Sequence, residues 1–276
     1  YLVATPIGNR DDLSPRARAV LAEASLIACE DTRHSRPLLA AFGIGGELCS
    51  YHEHNEDQIA PRLLARLQAG EVVALISDAG TPLISDPGFY LVRAAREQGI
   101  RVVPIPGPCA AICALSAAGL PSDRFLFVGF PPRTRAQRLS WCQGFANEPG
   151  TLICYESGRR AAATLSDLAE VLGAERRAVV ARELTKRFET FLADGLCKLS
   201  EQVAMSPEQQ LGELVILVEG DLRGKDEHDR AEQRRVLGLL AAELPLKQAA
   251  ALAAAITRGA RNQLYRDALA AKERTR

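Results

Sequence analysis

The chain has 276 residues, 47% hydrophobic and 25% charged, with 34 Lys/Arg balanced by 34 Asp/Glu. That length predicts about two domains, and the balance excludes a disordered chain, a collagen-like chain and a coiled coil. The longest apolar runs, such as Val72 to Ile76 and Cys109 to Ala118, are too short to span a bilayer, so no membrane partner is expected.

No basic-then-apolar leader opens the sequence, and Tyr1 falls inside an expected first strand, so a few residues are expected upstream. Seven cysteines without a C-x-x-C pair read as free thiols in a reducing cytoplasm. Aromatic residues make up only 5%, so the cores are expected to be built from Ala, Leu, Val and Ile.

In chain order, strands are predicted at Leu2–Thr5, Leu26–Cys29, Val72–Ser77, Arg101–Pro104 and Phe125–Gly129. Helical periodicity covers Ser14–Ala24, Arg33–Phe42, Gln58–Leu67, Gly88–Gln98 and Ala110–Ala117 between them. This alternation predicts an α/β fold with a largely parallel sheet covered on both faces. A second α/β unit follows, with strand Thr151–Tyr155, helix Arg160–Leu172, strand Arg177–Glu183 and then a two-strand region ending in Glu213–Val218. The expected domains are 1–118 and 119–221, divided near Gly119-Leu120-Pro121, then a linker at 222–231 and a helical end at 232–276. That end reads as three helices, Ala231–Glu243, Leu246–Ile256 and Ala260–Ala271. Gly259 is expected to take the left-handed conformation in the turn before the last helix. Helix, short turn and basic helix form a helix-turn-helix-like pattern. Residues 244–276 carry seven Lys/Arg against two acids, a candidate footprint for a phosphate backbone.

Three motifs follow strands and so fall where α/β proteins place their ligands. The densest, Ser77–Gly88, holds two Asp, three hydroxyls, two Gly and two Pro in twelve residues. The second, Val103–Ala110, sets three prolines around Gly107 and then opens a helix with small residues. The third, Cys29–Ser35, mixes Glu30, Asp31, Arg33 and His34; alone it reads first as a helix cap, Asp31, with a surface salt bridge. Gly43–Gly46 leads toward a strand and is no dinucleotide loop, and no G-x-x-x-x-G-K-[ST] occurs. His52 and His54 lack a third ligand at suitable spacing, so no metal is expected. Cys109 and Cys113, one helical turn apart, read as core packing.

Val3–Asn9, Glu30–His34, Ser50–Glu56, the Ser77–Gly88 loop, Pro104–Pro108, Tyr155–Ser157 and Arg182–Lys186 together resemble the ribosomal RNA small subunit methyltransferase I family. That family belongs to the tetrapyrrole methylase (class III) group of S-adenosylmethionine enzymes. The resemblance runs from Leu2 to about Glu219 and extends to the helical end. It implies two α/β domains of the tetrapyrrole methylase type with S-adenosylmethionine in the cleft between them, usually in a homodimer. It also implies methylation of the ribose 2′-hydroxyl of a cytidine in the decoding centre of 16S ribosomal RNA, within the small ribosomal subunit.

Carried over by motif, Pro6 would lie beneath the cofactor, and Ser77, Asp78, Ala79, Thr81 and Ser85 would line one end of it. Cys109, Ala110, Tyr155, Glu156, Leu184, Gly212 and Glu213 would close around it. The sequence departs from the family pattern at Cys109, where Ser is usual, at Gly158-Arg159, where Pro-His is usual, and at Arg10. A ribose hydroxyl is a poor nucleophile at neutral pH, so a base or cation near its oxygen is expected. Lys186, Glu183, Asp31, Arg33 and His34 are the catalytic candidates, with solvated pairing to Glu189 as the alternative for Lys186. The RNA-binding candidates are Arg133, Arg135 and Arg138, from the loop 124–138, and Arg258, Arg261 and Arg266 of the helical end. Two other readings stay open: an enzyme of the same architecture with a tetrapyrrole or protein substrate, and a non-catalytic RNA-binding module of ribosome assembly.

Overall fold

The computed structural model describes residues 1–274, without the side chains of residues 222–231, 268 and 270–274. Two compact units divide the chain: residues 1–143 with 151–219, and residues 144–150 with the chain from Gly220.

The first unit opens with β1 (Leu2–Val3), α1 (Pro15–Glu23), β2 (Leu26–Cys29), α2 (Thr32–Ala41), β3 (Glu47–Ser50), α3 (Glu56–Gln68), β4 (Val73–Leu75), α4 (Phe89–Glu97) and β5 (Pro104–Ile105). These strands form one sheet in the order β3-β2-β4-β1-β5, parallel throughout. All four β2 residues are buried. Ile27 and Cys29 pack on one face and Leu26 and Ala28 on the other, as a strand covered on both sides requires. The Ser14 hydroxyl accepts from Ala17 N at 3.1 Å and Pro15 opens α1, so that helix starts where its capping residues dictate.

α5 (Ala110–Ala117) leads to β6 (Phe125–Phe127), α6 (Arg135–Gln143), β7 (Thr151–Ser157), α7 (Gly158–Leu172), β8 (Arg177–Arg182), β9 (Thr190–Gly195), α8 (Leu196–Met205) and β10 (Glu213–Val218). The second sheet runs β6-β7-β10-β8-β9, with only β6 and β7 parallel. It departs from a parallel pattern because β8 turns directly into antiparallel β9, and β10, returning through α8, keeps that reversed direction. Although α5 follows the first sheet, its Ala111, Ala114 and Leu115 pack with Ile153, Val179, Val215 and Leu217 of the second. Small side chains let that helix lie close to the strands.

In the second unit, α9 (Leu222–Glu243), α10 (Leu246–Thr257) and α11 (Arg261–Arg274) share a core of Val236, Leu237, Ala249, Ala250, Ala253 and Leu264. The backbone of 222–231, expected as a linker, is instead the first part of α9; its side chains lie outside the described residues. Arg258, at φ 56°, takes the left-handed position expected for Gly259. A Cβ at Gly259 would meet Gln233 Nε2 at 2.9 Å, the end of a flexible side chain that can move aside. Arg258, Arg261 and Arg266 are exposed, whereas the side chains of Lys272, Arg274 and Arg276 lie outside the described residues.

One expected RNA contact, Arg138, is corrected here. Arg138 is 5% exposed, and its Nε donates to Asp167 Oδ2 at 2.7 Å. Arg135 bridges Asp167 and Glu170, at 3.1 and 2.6 Å. Asp167 is itself buried on α7, so the guanidinium of Arg138 compensates a charge that water does not reach. Arg133 and Arg135 remain exposed. Arg138→Ala is expected to lower stability by about 3 kcal/mol in urea unfolding, because it strands the Asp167 carboxylate. A loss near zero would show that Arg135 alone satisfies Asp167.

Candidate active site

The carboxyl ends of β1, β4, β7 and β8, the start of β10 and the turn into α5 converge on one cavity of about 220 Å³. Antiparallel pairing of β10 with β7 and β8 brings Glu213 opposite Ser157 and Leu214 opposite Arg182. The start of one strand therefore meets the ends of two others at the same rim.

From the first sheet, Asp78, Ala79, Thr81 and Ser85 of the Ser77–Gly88 loop line the cavity, with Cys109 and Ala110 beside them. Thr81 Oγ1 donates to Pro108 O at 2.8 Å and ties the two loops together. From the second sheet come Tyr155, Glu156, Glu183, Leu184, Lys186 and Glu213. The Tyr155 hydroxyl accepts from Ala111 N at 3.1 Å, and Asn9 N donates to Thr185 Oγ1 at 3.0 Å. These two bonds link the sheets across the cavity. Burial, then the neighbouring Cys109, push the Tyr155 phenol up.

Pro6, Ser77 and Gly212 are not brought to the wall. Ile7 lines the cavity one residue beyond Pro6. Ser77 turns inward, its hydroxyl donating to Gly80 O at 3.1 Å, and so folds the loop. Gly212, at φ 75°, leaves the room that the Glu183 carboxylate fills; a Cβ there would collide with Glu183 Oε1. Glu156 reaches the wall, but its carboxylate is committed to Ser157 N at 2.8 Å, Thr164 Oγ1 at 2.7 Å and Arg160 at 3.1 Å.

Lys186 Nζ lies 2.9 Å from Glu183 Oε1. The alternative partner, Glu189, accepts instead from Thr185 N at 2.7 Å. Leu83, Ser85, Glu183 and Thr185 hold positive φ, four of the five non-glycine residues that do so among the described residues. Such backbone strain gathers where surrounding structure fixes a functional loop.

Asp31, Arg33 and His34 do not line the cavity. Asp31 caps α2 through Arg33 N at 2.8 Å, and the Arg33 guanidinium helps hold its carboxyl down, at about 2. A carboxylate so stabilised is a weak proton acceptor near neutrality. Arg33 and His34 are exposed. The motif still serves the site, because Asp31 N donates to Asp78 Oδ1 at 3.2 Å and orients it.

Asp86 and Phe130 also line the cavity, as do Ile84, Ala181 and Val215. Asp86 lay inside the recognised loop without a signal separating it from Asp78, and no periodicity marks Phe130. No group of three or more His, Cys, Asp or Glu among the described residues could hold a metal.

The tetrapyrrole (corrin/porphyrin) methylase family model matches residues 1–199, and the RsmI C-terminal HTH domain model matches residues 227–272. Ribosomal RNA small subunit methyltransferase I of Pseudomonas aeruginosa is 58% identical, across 98% of this chain and 96% of that protein. The chain belongs to the ribosomal RNA small subunit methyltransferase I family, within the tetrapyrrole methylases. The family member of Escherichia coli O157:H7 is 52% identical over 98% of this chain and 94% of its own length. Among solved structures, uroporphyrin-III C-methyl transferase from Thermus thermophilus complexed with S-adenyl homocysteine shares the family fold. Its TM-score is 0.53 at 22% identity, with 80% of this chain and 96% of that one covered.

Burial, followed by repulsion from Glu30, pushes Asp86 up to about 6. Its neutral form is favoured in the folded state, so this contribution to stability is full below about pH 4 and lost as pH rises to about 6. Thermal unfolding of the parent relative to Asp86→Asn should therefore fall between these pH values. A constant difference would mean that Asp86 is not desolvated.

Proposed function

We propose that the protein transfers a methyl group from S-adenosylmethionine to the ribose 2′-hydroxyl of a cytidine in the decoding centre of 16S ribosomal RNA. It acts on the small ribosomal subunit, as a homodimer in the cytoplasm. In this reading residues 1–118 and 119–221 carry the chemistry and the helical end, 232–276, contributes RNA affinity. Ribosomal RNA methylation is supported by the names and near-complete coverage of the relatives.

The cofactor is supported by the donor set of the cavity. Asp78, Asp86 and Glu213 offer carboxylates toward a ligand bearing ammonium and sulfonium charge, while Ile7, Ile84, Leu184 and Val215 provide apolar wall. Ala79, Gly80, Ala110 and Ala181 leave backbone accessible to a ligand. When bound, the sulfonium supplies an electrophilic methyl group; the chain supplies orientation and exclusion of water.

The observation that carries a hydroxyl acceptor is the Lys186–Glu183 pair on the wall. An ammonium held 2.9 Å from a carboxylate is fixed in place and still has donors for an oxygen gaining negative charge. Glu183 orients Lys186, and Gly212 gives Glu183 its place. Proton acceptance passes to a carboxylate of the cavity or to water, since Asp31 and His34 lie off the wall.

The direct test incubates the protein, S-adenosylmethionine and small subunits from a strain lacking the modification, then analyses the RNA nucleosides by mass spectrometry. A single 2′-O-methylcytidine per subunit is expected; methyl on a base, or none, would contradict the reading. Lys186→Ala should lower the single-turnover rate by about a hundredfold with cofactor affinity retained, and Lys186→Arg should rescue only in part. An unchanged rate would remove Lys186 from the chemistry. Replacing Arg258, Arg261 and Arg266 together by Ala should flatten the slope of log affinity for RNA against log salt by about 2. An unaltered slope would leave those arginines without phosphate contacts.

A further inference from the structure

Phe130 is 59% exposed, yet it lies on the cavity wall and not on a loose surface loop. Its ring meets Tyr155 edge-on, with centroids 5.5 Å apart. The segment that follows is Pro131-Pro132-Arg133, and its carbonyls are pinned from two sides. Arg160 donates to Pro131 O at 2.7 Å and Pro132 O at 2.9 Å. Arg138 donates to Pro132 O at 3.3 Å and Arg133 O at 3.2 Å. Both guanidinium groups are neutralised beneath the loop, Arg160 by Glu156 and Arg138 by Asp167. The fold thus spends two arginines and two carboxylates on fixing the place where one bare aromatic ring meets solvent.

We propose that Phe130 is the stacking platform for the base of the nucleotide whose ribose is methylated. This inference rests on the ribose-methylation reading and adds how the acceptor is held. A nucleotide whose ribose is drawn into the cavity gives up stacking on its neighbours, and an aromatic face compensates for the stacking so lost. Ile84, 40% exposed and also on the cavity wall, presents a second apolar surface from the loop of the other sheet. The exposed Arg133, three residues beyond Phe130, supplies positive charge for a flanking phosphate. The cavity carboxylates suit a cationic cofactor and would repel a phosphate, so the RNA backbone belongs on the Arg133 side. Stacking does not discriminate strongly between bases, so Phe130 holds the nucleotide rather than choosing cytidine.

The test compares full-length parent, Phe130→Ala and Phe130→Trp on small subunits lacking the modification, with S-adenosylhomocysteine affinity measured by calorimetry and assembly state by sedimentation. Phe130→Ala should raise KM for small subunits about tenfold at saturating S-adenosylmethionine, and Phe130→Trp should restore it. Affinity for S-adenosylhomocysteine and the assembly state should be unchanged in both. A matching loss of S-adenosylhomocysteine affinity would assign Phe130 to the cofactor and overturn the proposal. A change of assembly state would assign it to an interface between copies, with the same consequence. An active parent with an unaffected Phe130→Ala overturns the stacking role alone. A parent inactive on these particles overturns the functional reading and the platform with it.

Discussion

The structure depends on one constraint: the cavity has walls from two sheets, so neither sheet can form the site without the other held against it. α5 meets this constraint. Its Ala111, Ala114 and Leu115 pack into the second sheet although the helix is connected to the first. The Tyr155 hydroxyl then accepts from the backbone of that same helix, and Asn9 N reaches Thr185 across the opposite wall. Apolar packing supplies the attraction, and the two hydrogen bonds fix the register. The bonds matter more than their modest net energies suggest, because a displacement of about 1 Å at a reacting centre can cost a hundredfold in rate.

Ion pairs divide into two roles. Arg138 and Arg160 sit under the Phe130–Arg133 loop with their charges compensated by Asp167 and Glu156. They act as scaffold, and their value lies in the carbonyls they hold. Lys186 and Glu183 face the cavity on a turn in which Glu183 and Thr185 hold positive φ. There the fold accepts local strain to aim a pair of opposite charges at one space.

Much of this was readable in the sequence, and the failures have physical causes. The Ser77–Gly88 loop was visible because rigid turn residues follow an apolar strand, a local signal. Arg138 was misread because its partner, Asp167, stands 29 residues away on another helix and leaves no trace near the arginine. β3 was expected after Gly43–Gly46 but could not be bounded, because Glu47–Ser50 is a half-exposed edge strand without the apolar run of its neighbours. Glu30–His34 was grouped with the catalytic residues since the motif is charged and follows a strand. Its place is one step removed, where Asp31 N steadies Asp78.

The central claim is that this single two-walled cavity holds the cofactor, and filling it tests the claim most directly. Ala110 opens α5 at the wall with the smallest side chain that keeps helix propensity. Calorimetric titration with S-adenosylhomocysteine should give saturable binding for the parent and none for Ala110→Trp, with circular dichroism showing that the variant is folded. Undiminished binding to a folded Ala110→Trp would place the cofactor elsewhere and contradict the account.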